Sequence, residues 1–91
     1  MEHTLRTIVG ERIAQERQRK GLTQLELSAK AGMHESNLNK VERAHVSLSM
    51  ESLARLADAL DCSTDFLLGR SNTPLRRRSR TGTKRSNSVA V

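Results

Sequence analysis

Apolar residues recur at helical spacing in five separate stretches, and the residues between those stretches are the ones that start and stop helices. Leu5, Ile8, Val9 and Ile13 are spaced with charged residues between them, which predicts a first helix over Leu5 to Arg19. Gly21 then follows Lys20 as a left-handed cap, behind a last turn whose basic residues suit the helix dipole. Thr23-Gln24-Leu25-Glu26 has the form of a capping box, opening a second helix over Gln24 to Ala31 that Gly32 closes. A third periodic stretch, Glu35 to Arg43, turns Leu38 and Val41 inward. Ser49 is placed to cap a fourth helix, Met50 to Leu60, whose apolar set is Leu53, Leu56, Ala57 and Leu60. Ser63 caps a last short helix, Thr64 to Leu68, before Gly69. No stretch alternates with a period of two, so the expected class is all-α with five helices.

Only Met33 and His34 separate Gly32 from the third helix. Two helices joined so tightly cannot lie side by side and must cross steeply, which is the geometry of a helix-turn-helix.

Charge divides the chain in two. Residues 1–69 carry nine Lys/Arg against ten Asp/Glu, whereas residues 70–91 carry seven basic residues and no acidic one. The formal net charge of +6 therefore belongs to the tail, and a basic chain average says little about the partner of the globular part. We accordingly expect a domain over 1–69 and a basic low-complexity tail over 70–91, with the run Arg76-Arg77-Arg78 and almost no apolar content before Val89. Cys62 is alone, so no intrachain disulfide forms, as suits a reducing, cytoplasmic setting. No apolar run approaches the roughly 18–20 residues of a membrane span. With Phe66 as the one aromatic, base-stacking platforms for single strands or RNA are disfavoured, and a nucleic-acid partner would be duplex DNA. His3, His34 and His45 have no Cys or carboxylate at metal-ligand spacing, so neither metal nor cofactor is expected. Nor is there a nucleophile–base arrangement, a phosphate loop or a paired-carboxylate cleft, which argues against an enzyme.

The string Gly21-Leu22-Thr23-Gln24, Leu27, Gly32-Met33, Leu38 and Val41-Glu42-Arg43 resembles the phage-repressor and Cro-type helix-turn-helix family, also called XRE-type. The resemblance spans about Val9 to Leu68 and implies a dimeric transcription regulator, a repressor-like domain that binds pseudo-palindromic operator DNA. It implies that Glu35, Ser36 and Lys40 point into the major groove, with Asn37 and Asn39 beside them. By their chemistry, Lys40 suits guanine O6 and N7, and Glu35 suits the cytosine amino group. Gln24, at a helix N-terminus, is implied to grip a phosphate, and Arg43 and His45 are further phosphate candidates; Arg6 and Arg12 are weaker ones. Arg17 and Glu42 are implied to pair structurally, locking the third helix to the first. A homodimer joined through Phe66, Leu67 and Leu68, with Leu48 or Met50 adding apolar surface, is expected on the same ground.

Several positions depart from the family pattern. Glu16 stands at a usually apolar site, which shortens the inner face of the first helix. His34 replaces the usual Ser or Thr cap of the third. Ala44 and Asp61 replace glycines, and Ala44 would cost about 1 kcal/mol if its backbone turns left-handed. Leu25 falls on an outer face usually kept polar, and Cys62 takes a small apolar position in the core. A second reading makes the domain an antitoxin-like interaction module whose basic tail binds an acidic protein partner, with autoregulatory DNA binding.

Overall fold

Thr4, Thr23, Ser49 and Ser63 each place a hydroxyl where it accepts the backbone N–H three residues on, from Thr7, Glu26, Ser52 and Phe66 respectively. Those four caps open four of the five helices in the computed structural model, which describes residues 4–75. The helices are α1 (Leu5–Arg19), α2 (Gln24–Ala31), α3 (Glu35–Glu42), α4 (Met50–Leu60) and α5 (Thr64–Leu67). The bounds agree with the periodicity except at two C-termini, where Arg43 and Leu68 are caps and not helix residues. The capping box is complete: Glu26 N–H donates to Thr23 Oγ1 at 3.0 Å, and Thr23 N–H donates to Glu26 Oε1 at 2.9 Å. α3 alone lacks such a cap, since His34 makes no side-chain hydrogen bond to it.

Between α2 and α3 the chain turns on Gly32, at φ 69°, where a side chain would cost steric energy. Ala44 and Asp61 do carry side chains in that region, at φ 63° and 52°. The left-handed penalty foreseen at Ala44 is therefore present, about 1–2 kcal/mol for a residue with a Cβ.

The core is assembled from Val9, Ile13, Leu27, Ala31, Leu38, Val41, Leu56, Ala57, Leu60, Cys62, Phe66 and Leu67. α1 packs against α3, α5 and α4, and α2 packs against α4 and α3. At the α1–α3 crossing, Gly10 brings the two backbones together: a Cβ there would lie 2.5 Å from the Val41 carbonyl oxygen and 3.0 Å from that of Glu42.

Three expectations are corrected by this packing. Phe66 and Leu67 are 8% and 0% exposed, so they fill the core of the single chain and are not available to a second copy. Leu68 is half-buried, at the rim of an apolar groove. Leu5, grouped by its spacing with Val9 and Ile13, is instead 58% exposed. Glu16 does not shorten that face: it is buried, its carboxylate held by Arg19 at 3.0 and 2.9 Å. That hydrogen bond, together with the Glu16 charge, raises the Arg19 guanidinium pKa further above its ordinary value.

The compositional boundary at Arg70 is not where the chain leaves the domain. Arg70 N–H donates to Asp65 O, Arg12 Nη1 donates to Ser71 O at 3.0 Å, and Ser63 N–H donates to Pro74 O at 3.0 Å. The Arg12 guanidinium also lies over the Phe66 ring, 4.4 Å from its centroid. Residues 70–75 are thus tied back to α1 and to the α4–α5 junction. The basic run from Arg76 onward, and His3 at the other end, lie outside the described residues. Among the described residues no helix is long and apolar enough to cross a membrane, and no group of three His, Cys, Asp or Glu side chains is placed to hold a metal ion.

Candidate nucleic-acid interface

α3 shows one face to the core and the other to solvent because Leu38 and Val41 alternate with polar residues at helical spacing. Glu35, Ser36, Asn37 and Lys40 are all exposed, on the N-terminal two turns of that helix. Asn39 differs: it is half-buried, and its Nδ2 donates to Gln24 Oε1 at 3.2 Å. Between α2 and α3 lies a shallow notch lined by Gln24, Glu35, Ser36, Asn39 and Lys40. Arg43 and His45 are exposed just past the end of α3, where His45 N–H donates to Lys40 O at 2.8 Å. Hence Gln24, Glu35, Ser36, Asn39 and Lys40 are brought together in one notch, and Asn37, Arg43 and His45 are exposed on α3 and just past its end.

What holds this face in place is a chain of polar side chains behind it. Arg17, on α1, donates through Nε to Glu42 Oε2 at 2.8 Å and through Nη2 to Glu42 Oε1 at 3.1 Å. Its remaining nitrogen, Nη1, donates to Leu22 O at 2.9 Å, in the turn before α2. Glu42 Oε1 also accepts from Gln24 Nε2 at 3.0 Å. The pair is largely removed from water, with side chains 14% and 6% exposed. A fork-on-fork pair of this kind is directional as well as strong, so one guanidinium fixes α1, the α1–α2 turn and the C-terminus of α3 relative to one another. The expected Arg17–Glu42 lock is present, and Gln24 belongs to it.

The links to Gln24 and Asn39 were not foreseen. Sequence does not show that a polar residue midway along α3 can both line the exposed notch and bond to α2, which the helix crossing decides. Arg12, a weaker phosphate candidate by sequence, is engaged by Phe66 and Ser71. Gly10 also escaped notice, although a glycine inside a helix and beside a core Val is itself a signal of close backbone approach.

The description of the helix-turn-helix family matches residues 13–67. The HTH-type transcriptional regulator ImmR of Bacillus subtilis (strain 168) is 34% identical over 62 residues, which cover 68% of this chain and 49% of ImmR. The chain thus spans about half the length of that curated relative. The crystal structure of the restriction-modification controller protein C.AhdI from Aeromonas hydrophila is similar with a TM-score of 0.66 at 32% identity, covering 68% of this chain and 94% of C.AhdI. SinR, described as the master regulator for biofilm formation and crystallised in complex with DNA, is similar with a TM-score of 0.63 at 38% identity, over 66% of this chain and 97% of that one.

Proposed function

This chain belongs to the helix-turn-helix family of phage-repressor and Cro type, and from that premise we propose that it regulates transcription by binding double-stranded operator DNA as two identical copies. The observation that carries the proposal is the exposed polar face of α3, fixed from behind by the Arg17–Glu42–Gln24 network. An α-helix fits the major groove, and the residues of its N-terminal turns come nearest the base edges. Lys40 then donates to guanine O6 and N7, Glu35 accepts from the cytosine amino group, and Ser36 and Asn37 complete the reading surface. Gln24, Arg43 and His45 flank that surface and contact phosphates, which sets the register of the helix on the duplex without reading sequence. Such a regulator works where the DNA is, in the cytoplasm.

A single domain with almost balanced charge gains little from phosphate attraction, so two recognition helices about 34 Å apart are needed for useful affinity. Since Phe66 and Leu67 are spent in the core, the two-fold contact shifts to the groove beside them. That groove, of about 160 Å³, is lined by Leu5, Val9, Val46, Leu48, Leu53 and Leu68 among others. Met50, 87% exposed, starts α4 three residues before Leu53. Leu5 and Met50 leave apolar surface in water beside this half-buried groove, and a two-fold pairing lets each copy cover the other.

Selection of bound duplexes from a pool with a randomised core tests the proposal. The wild-type protein should return a defined half-site, and Lys40→Ala should lose preference at a guanine within it. Recovery of unbiased sequence by the wild-type protein would refute base reading.

A further inference from the structure

We infer that Asn39 is a specificity-determining residue whose free group is fixed as a hydrogen-bond acceptor, so that it selects the base of a pair that carries an exocyclic amine, adenine or cytosine. The inference rests on the DNA-binding reading above and deepens it.

The polarity is set from Arg17 outward. Glu42, paired with Arg17, is a carboxylate and can only accept. Gln24 must therefore turn its amide nitrogen toward Glu42, as the 3.0 Å contact from Nε2 to Oε1 shows. A carboxamide is planar, so this choice sends Gln24 Oε1 to the other side. That oxygen also only accepts, so Asn39 must in turn offer Nδ2, at 3.2 Å. The orientation of both amides, ordinarily a free choice between two flips, is thereby dictated by the charge on Arg17, two links from Gln24 and three from Asn39.

The consequence lies on Asn39. Its Oδ1 accepts no hydrogen bond among the described residues, and the residue lines the notch with Glu35, Ser36 and Lys40. In the major groove every base pair shows one amino and one keto group, so a fixed acceptor distinguishes the two orientations of a pair. Adenine is the best fit, since the second hydrogen on Nδ2 can also meet its N7. A freely rotating Asn would tolerate either orientation by flipping; this one cannot flip without setting two carbonyl or carboxylate oxygens against each other.

Two isosteric substitutions separate this role from simple support of the fold. Asn39→Ala first identifies the operator position that residue 39 reads, as the one whose preference flattens. At that position the wild-type protein should favour the amino base over the keto base by about ten-fold. Glu42→Gln gives Gln24 either a donor or an acceptor to face, frees both downstream amides, and should bring that ratio toward one, a larger loss than any at the guanine read by Lys40. Asn39→Asp gives up the bond to Gln24, whose Oε1 then faces a second acceptor, but it offers only acceptors to the groove, so it should retain the amino base, with cytosine gaining on adenine. Full discrimination in Glu42→Gln, a switch to keto bases in Asn39→Asp, or no position flattened by Asn39→Ala would each overturn the inference. A uniform loss at all positions in Glu42→Gln is the mark of a merely structural role and overturns it too. Should Glu42→Gln fail to fold, Asn39→Asp decides alone. If the wild-type protein selects no sequence, the DNA-binding reading falls first and takes this one with it.

Discussion

Replacing Gly10 by Ala sets two effects of opposite sign against each other. In the interior of a helix Ala is favoured over Gly by about 1 kcal/mol, so propensity alone predicts a more stable protein. The structure predicts the reverse. The added Cβ would stand 2.5 Å from the Val41 carbonyl oxygen, 3.0 Å from the Glu42 carbonyl oxygen and 3.2 Å from the Glu42 carbonyl carbon. None of these is the end of a flexible side chain. The Val41 oxygen is moreover held in place, accepting from Ala44 N–H at 3.0 Å. α1 and α3 must therefore separate, and forcing atoms into a packed interface costs about 1–3 kcal/mol, to which lost contacts around Val9 and Val41 add. The balance is a destabilisation of about 1–2 kcal/mol, or roughly 4–15 °C in Tm for a domain of this size. Displacing the end of α3 also pulls Glu42 away from Arg17 and Gln24, so operator affinity should fall by more than the unfolded fraction explains. Thermal melts followed by circular dichroism, with DNA titration at a temperature where both proteins are folded, measure the two effects. A Tm equal to or above that of the wild-type protein would refute the close-approach reasoning.

Arg17→Met should cost about 3–5 kcal/mol, because Glu42 stays buried with Gln24 as its one remaining donor; an unchanged melting temperature would refute the structural role of the pair. Ala44→Gly should stabilise by about 0.5–1 kcal/mol, the left-handed penalty relieved at φ 63° less the extra chain entropy of glycine, and chemical denaturation at constant m-value reads it. Truncation after Leu75 removes six basic residues while keeping the bonds made by Ser71 and Pro74. It should weaken binding to all duplexes alike and flatten the salt dependence with operator preference intact, so a loss of preference would contradict a purely electrostatic tail.

The helices were legible because their ends are local chemistry. Thr23 with Glu26, Ser49 and Ser63 announce helix starts within three residues, and each hydroxyl bonds as its spacing predicts. The Arg17–Glu42 pair was legible through the family resemblance. What stayed hidden depends on which helices touch. Phe66 and Leu67 look alike as core or as interface, since both environments ask for apolar residues, and only the packing of α5 on α1 assigns them to the core. Asn39 is legible as a residue of the exposed notch, but its bond to Gln24 depends on the crossing of α2 and α3. The ties made past Arg70 were hidden for a further reason. Charge changes at Arg70, but Ser71 and Pro74 are held through their backbone carbonyls, which composition does not reveal.

We propose that two copies of α3 read one operator from the same side of the duplex. Hydroxyl-radical footprinting and guanine methylation interference on a selected operator test it most directly. Two symmetry-related patches of interference are expected in successive major grooves, about 10 base pairs apart, on one face of the DNA. A single patch without a symmetric mate, or protection confined to the minor groove, would contradict it.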